Sequence, residues 1–329
     1  MKRLIEIVRT FADRRIVVVG DAIADQFVYG NISRVSREAP VFILRHEQTT
    51  TVPGGAANCA VNLAALGARV SLIAVVGPDE AGAELRKKLE AAGVDVEGII
   101  VSDEIKTTTK VRILAGQSHS NRQQVIRIDY EGNPIDDGEL RESIINRLKP
   151  TAASADAIVI SDYHYGVVDQ HAIDLIREST CEPVLIDSRF RLSEFTGFTA
   201  ATPNEDEVEH LIGHSIASTE ELEHAGKALK EQLKHKALLV TRGAQGMMLL
   251  EDNAAPVHIP AVGSQQSVDV TGAGDTVIAT FALSVASEAS FADAARLANY
   301  AGGLVVMKRG TASVTAAELE HSIINSEND

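Results

Sequence analysis

Five short runs of consecutive apolar, mostly β-branched residues recur along the chain: Ile16–Gly20, Val70–Val76, Ala157–Ser161, Val184–Asp187 and Ala237–Thr241. Between them lie Ala/Leu/Glu-rich stretches with helical spacing, among them Asn58–Leu66, Ala81–Ala92, Asp169–Glu178 and Thr219–Leu233. A strand that is apolar on both faces cannot leave one face in water, so this alternation predicts a mostly parallel sheet covered by helices on both sides. Connection handedness then leaves few topologies. The 329 residues would allow roughly two domains, but the rhythm spans most of the chain. A single α/β unit over 1–329 with inserted segments is expected.

Two regions break the rhythm. Gln26–Thr51 and Thr107–Tyr130 carry alternating segments such as VFILRHE and TTTKVRIL, with little helical pattern. They predict a second, small β-sheet. So few strands do not bury a face alone, so the sheet should close over a ligand, pair with another subunit, or both. The first fifteen residues are amphipathic, with Leu4, Ile7, Val8 and Phe11 at helical spacing. They lack the apolar run and small-residue cleavage site of a signal peptide. Cys59 and Cys181 make neither a disulfide framework nor a CxxC site. A cytoplasmic protein with reduced thiols is expected. Acidic residues exceed basic ones, 46 against 31, for a net charge of −15. That field disfavours nucleic acid and anionic membranes; a small anionic ligand needs only a local cluster of donors.

The segment Ser267–Ile278, SVDVTGAGDTVI, is the most informative. Gly272, Ala273 and Gly274 would leave backbone N–H groups bare at the start of an apolar helix, where the dipole favours an anion. Asp275 sets a carboxylate beside them, the pairing of base and anion nest that phosphoryl transfer to a hydroxyl needs. The same residues read equally as a turn followed by a first-turn acid. In Pro53–Gly77, Gly54 and Gly55 permit close backbone approach to a ligand. Asn58 can donate to and accept from sugar hydroxyls, though a plain strand–turn–helix reads as well. His210 and His214 lack the HExxH glutamate. GxGxxG is absent after Val17-Val18-Val19-Gly20-Asp21, which speaks against a dinucleotide-dependent oxidoreductase.

Taken together, Gly54-Gly55-Ala56-Ala57-Asn58-Cys59-Ala60, with Gly67 and Gly77 beyond it, and Asp269-Val270-Thr271-Gly272-Ala273-Gly274-Asp275 resemble the two signature patterns of the ribokinase/PfkB family of carbohydrate kinases. They stand over 200 residues apart, and the resemblance covers almost the whole chain. It implies a Rossmann-like α/β domain with a β-sheet lid, and ATP-dependent phosphorylation with Mg²⁺. Asp275 would be the base and Gly272–Gly274 the anion nest. Asp25 would join Gly54, Gly55 and Asn58 in holding the sugar. Asn204 and Glu207, an Asn-x-x-Glu motif, would organise Mg²⁺ through water, although a helix start after Pro203 is also rich in acids. Thr241, Arg242, Gly243 and Gly246 match the nucleotide loop, and Asn299 lies on a helix that lines the adenine pocket. Asp269 and Thr271, with Gly310 and Ser313, stand where some relatives hold a monovalent cation, K⁺. A homodimer through the lid is implied too.

Within the family, Ser33–Pro40, Thr107–Arg112 and Gln124–Asp129 resemble the kinase half of bacterial heptose kinase/adenylyltransferases. The implied acceptor is the anomeric hydroxyl of D-glycero-β-D-manno-heptose 7-phosphate, giving the 1,7-bisphosphate. Arg34, Lys110, Arg112 and Arg127 would hold the substrate phosphate, unless they only solubilise lid edges. Two departures stand out: Tyr165 occupies the lysine place of an Asp-Tyr-x-Lys-Gly motif, and Asp187-Ser188-Arg189-Phe190 stands for Asp-Pro-Lys-Gly. No HxGH nucleotidyltransferase motif is found, so a kinase half alone is expected. Kinases of other sugars, sugar phosphates or nucleosides, and a catalytically silent sugar- or nucleotide-binding module, remain the alternatives.

Overall fold

A computed structural model describes residues 1–116, 122–132, 134–179, 181–263 and 267–326. The expected strands form as β1 (Arg15–Gly20), β4 (Arg69–Val76), β8 (Ala157–Asp162), β9 (Val184–Ser188) and β11 (Ala237–Thr241). Short strands β5 (Ile99–Val101), β10 (Ala200–Ala201), β12 (Met247–Glu251) and β13 (Val257–Ile259) complete a nine-stranded sheet in the order β13-β12-β11-β10-β9-β8-β1-β4-β5. The pairs from β11 to β5 are parallel, and β12 and β13 pair antiparallel at one edge. Successive β1 residues feed opposite faces, as the pleat requires. Ile16 and Val18 join one apolar core, Val17 and Val19 the other. The first core is closed by α1 (Lys2–Arg9), α2 (Ala56–Ala65), α3 (Glu80–Ala91), α8 (Ala273–Ala286), α9 (Phe291–Val305) and α10 (Ala316–Asn325). The second lies under α4 (Gly138–Ala152), α5 (Gln170–Glu178), α6 (Glu205–Ile212) and α7 (Thr219–Leu233). The parallel-sheet expectation holds.

The second sheet also forms. Its strands are β2 (Ala22–Val35), β3 (Phe42–Gly55), β6 (Thr109–Gly116) and β7 (Gln123–Tyr130), ordered β3-β2-β6-β7. The β2–β3 ribbon is longer than the expected 26–51. It starts one residue beyond Asp21 and ends at Gly55, which caps α2. Apart from Asp25 the extra residues are apolar or glycine, and all are buried or half-buried, so no polar alternation marks them. Part of 107–130, namely 117–121, lies outside the described residues.

The chain runs from β1 to β4 on one side and later returns to β8 on the other. That reversal opens a crevice beyond the carboxyl ends of the strands, the place where open α/β sheets bind ligands. Asp21, Tyr163, Arg189, Thr202 and Thr241 all stand within two residues of a strand end there.

Candidate active site

The crevice holds two connected cavities. The larger, about 470 Å³, is walled by Asp25, Lys110, Arg112 and Arg127 from the second sheet. Tyr163, Asp187, Arg189, Asn204, Glu207, Thr241, Thr271, Gly272, Gly274 and Asp275 wall it from the α/β core. The smaller, about 210 Å³, is mainly apolar and includes Gly243, Gly246, Met247, Val262, Val277, Asn299 and Val306. Thr241, Val270 and Gly274 face both.

Asp275 sits where they meet. Helix α8 starts on Gly272, in the left-handed region at φ +77°, with no side-chain cap. The Ala273 N–H reaches Val270, whereas the N–H groups of Gly274 and Asp275 have no partner among the described residues. Bare first-turn donors at a dipole's positive end form an anion site. A β-carbon on Gly274 would meet nothing within 4 Å, so this approach is open. One on Gly272 would fall 2.6 Å from Asn58 Nδ2. Any side chain there would displace the amide as well as strain the turn.

Asn58 matters because it donates to Asp275 Oδ2 at 2.7 Å. Asn62, one turn on, donates to Asn58 Oδ1 at 3.1 Å and accepts from Thr276 Oγ1 at 2.9 Å. The buried ends of α2 and α8 are thus joined by a polar chain with the carboxylate at its end. Asp275 is only 5% exposed. Burial, aided by the charge of Asp25, lifts its pKa to about 7 against the pull of Asn58, Tyr163 and Lys110.

The predicted sugar-holding residues converge. Asp25 is buried and ion-paired with Arg112, whose guanidinium also lies over Phe27. A β-carbon on Gly54 would come within 2.4 Å of Asp25 Oδ2, so that glycine admits the carboxylate. Lys110 is 8% exposed and makes no hydrogen bond or ion pair among the described residues. It rests on the rings of Tyr163 and Tyr165, 5.4 and 6.0 Å from their centres. Burial first, then the Arg189 charge, pulls its pKa down. Arg189 likewise lacks an ion pair among the described residues, while Arg127 is held by both oxygens of Asp129 at 2.9 and 3.0 Å. Arg34 is not brought into this group. It is exposed near the outer end of the β2–β3 ribbon, opposite Ile43.

The predicted nucleotide residues divide. Thr241, Gly243, Gly246 and Asn299 line the smaller cavity, the last with its amide anchored on the Pro260 carbonyl at 2.8 Å. Arg242 faces neither cavity; it bonds Glu205 at 2.7 Å and ties the loop to α6. Asn204 and Glu207 form a capping box on α6, each side chain accepting the other's backbone N–H, at 2.8 and 2.9 Å. Both also line the larger cavity. Asp269 accepts from the Thr271 and Gly310 N–H groups at 3.0 and 2.9 Å. Burial opposes it, yet those bonds hold its carboxyl below the ordinary range.

Three site residues were given no role from the sequence. Tyr163 donates from its hydroxyl to Asp275 Oδ1 at 3.1 Å. Asp21 accepts from the N–H groups of Tyr163, Tyr165 and Val167 at 2.8, 3.1 and 3.3 Å. Burial and Asp162 raise its carboxyl to about 6. Asp187 is pushed well up by burial and by Glu207, Asp275 and Asp162. Their common signal is position, within two residues of the carboxyl end of a strand flanking the reversal.

The family model described as pfkB family carbohydrate kinase matches residues 13–317. Among curated proteins, the chain is 43% identical over 318 residues to the bifunctional protein HldE of Caulobacter vibrioides, covering 94% of this chain and 64% of that one. It is 40% identical over 315 residues to the bifunctional protein HldE of Hahella chejuensis, covering 95% and 64%. The chain therefore spans just under two thirds of the length of these relatives. Among solved structures, phosphofructokinase-2 of Escherichia coli in complex with substrates and products superposes with a TM-score of 0.78 at 18% identity, over 95% of this chain and 99% of that one. Arabidopsis thaliana ribokinase complexed with ribose and ATP gives 0.73 at 22%, over 94% and 98%. These two likenesses show the ribokinase-like fold.

Proposed function

This chain belongs to the pfkB family of carbohydrate kinases, and from that membership we propose that it transfers the terminal phosphoryl group of ATP to a hydroxyl of a sugar phosphate. The observation that carries this reading is the place of Asp275: a carboxyl poised near 7, beside unpartnered helix N–H groups, where a polar and an apolar cavity meet. The adenine would lie in the apolar cavity beside Asn299, its phosphates crossing the start of α8. The acceptor would lie in the larger cavity against Asp25, Gly55 and Asp275, with Gly54 and Asn58 supporting the two carboxylates from behind. Asp275 takes the hydroxyl proton as the phosphorus–oxygen bond forms and ADP leaves. The donors at Gly274 and Asp275 meet the charge spread on the transferring group.

The donor set suits Mg²⁺. Asp187 and Glu207 are half-buried carboxyls raised above their usual range, a negative field that a hard cation relieves. Among the described residues no three His, Cys, Asp or Glu side chains gather closely enough to cage a metal. The ion would be held by Glu207 and Asn204 through water and by the nucleotide, as Mg²⁺ prefers. It would supply charge neutralisation on the phosphates. For K⁺ the fit is poorer. Both Asp269 oxygens already accept backbone donors, and no step is assigned to such an ion.

Lys110 and Arg189, two cations that face one space and have no carboxylate ion pair among the described residues, call for an anionic acceptor. With the motif resemblance in Thr107–Arg112 and Gln124–Asp129, this favours D-glycero-β-D-manno-heptose 7-phosphate, phosphorylated at the anomeric hydroxyl. The test is ADP release by the purified protein with a panel of that heptose phosphate, fructose phosphates, neutral sugars and nucleosides. Turnover is expected with sugar phosphates and greatest with the heptose. A preference for a neutral sugar would overturn the acceptor. Binding by calorimetry without turnover on any member would mean a silent binding module.

The second sheet would be the lid and also the subunit contact. It presents exposed Val35, Phe42, Val125, Ile126, Ile128 and Tyr130 and two edge strands, β3 and β7, features that bare protein surfaces avoid. A dimeric mass is expected by light scattering; a monomer at micromolar concentration would refute the pairing.

A further inference from the structure

We propose that Tyr163 is a positioning residue for Asp275, its hydroxyl holding the carboxylate in one orientation while Asn58 holds the other oxygen. The role rests on the kinase reading above. Each Asp275 oxygen receives one donor, Tyr163 Oη at 3.1 Å on Oδ1 and Asn58 Nδ2 at 2.7 Å on Oδ2. A carboxylate oxygen has two acceptor sites, so one on each remains for an acceptor hydroxyl. Two fixed donors on separate elements remove the side chain's rotation, which positions the base before substrate arrives.

Tyr163 is itself fixed. Its backbone N–H is the nearest of three that close on Asp21, at 2.8 Å. The loop they draw in takes His164 through the left-handed region at φ +67°, a conformation kept where surrounding bonds over-determine it. The phenol's pKa is raised well above the ordinary value by burial and by Asp275 and Asp187, so it stays protonated and donates. Asp275 is also faced by Asp25 from β2, Lys110 from β6, Asp187 from β9 and Cys59 from α2. None of these changes when only the hydroxyl is removed.

Tyr163→Phe keeps the ring under Lys110 and deletes Oη. With one charge-assisted bond lost, kcat is expected to fall about tenfold, with KM within about twofold. The acidic limb of the kcat profile should move up by about one pH unit. Titration of the Asp275 carboxyl by carbon-13 NMR, assigned with Asp275→Asn, should show the same upward move without any substrate. An unmoved carboxyl, or a raised KM with unchanged kcat, would overturn the proposal. A wild-type protein that turns over no acceptor would refute the kinase reading instead, and the NMR titration would still decide whether Tyr163 holds Asp275.

Discussion

Asp275→Asn is expected to lower kcat by at least about 10²-fold while leaving nucleotide affinity nearly unchanged. The amide keeps the shape, accepts from Asn58 on its oxygen, and can donate to the Tyr163 oxygen from its nitrogen. What it loses is the ability to take a proton. The donors at the start of α8 belong to the backbone and remain. Turnover within threefold of wild type would remove Asp275 from the mechanism. The same variant should be more stable than wild type at alkaline pH. In the folded protein the carboxyl is raised from 3.8 to about 7, so between those values the folded state binds more protons than the unfolded chain. Stability therefore declines as pH rises through that window, and above it the buried charge costs roughly 4 kcal/mol. Asn carries no such cost. Unfolding midpoints of the two proteins should lie close at pH 4 and diverge by pH 8. Asp21 is common to both and cancels, whereas Asp187, raised in part by the Asp275 charge, is relieved in the variant and adds to the divergence. Parallel profiles would show that the carboxyl is not raised.

Removing Lys110 and Arg189 together should have a comparable effect on acceptor choice. Lys110→Met with Arg189→Ala is expected to reduce kcat/KM for a phosphorylated acceptor by about 10²- to 10⁴-fold relative to its neutral counterpart, since each charge-assisted bond contributes about 1.5–3 kcal/mol. The ratio is the informative quantity, because Lys110 also lies near Asp275 and its loss alters the base for every acceptor. Arg112 and Arg127 would serve less well as targets. Each already answers a carboxylate, Asp25 and Asp129, and removing one partner of the buried Arg112–Asp25 pair leaves an uncompensated charge. An unchanged ratio would place the acceptor's anion elsewhere. Lys110→Met alone should raise the melting temperature, as it removes a buried charge that has no hydrogen bond or ion pair among the described residues.

The central strands were legible because a strand buried on both faces must be apolar throughout, and few other structures demand that of consecutive residues. The two- and three-residue strands β5, β10 and β13 carry too little pattern to register. In the site, Asp275, Asn58 and Gly54 were marked by glycines that close approach requires. Tyr163 had no such mark: a tyrosine after an apolar strand is equally a packing residue, and only the meeting of β8 with α8 brings it to the carboxylate. Arg34 lies apart from the cleft for the opposite reason. Charge on a strand is visible in sequence, but whether the strand's base or its outer end faces the cleft depends on ribbon length and register. Arg242 matches the nucleotide loop in type and spacing, yet its side chain braces α6.

The shared wall of Thr241, Val270 and Gly274 has a thermodynamic consequence. Whatever fills one cavity touches residues that border the other, which gives the two ligands a common wall through which to couple. By linkage, the factor by which nucleotide changes acceptor affinity equals the factor by which acceptor changes nucleotide affinity. Two isothermal titrations run in opposite order around this wall must close to the same coupling free energy.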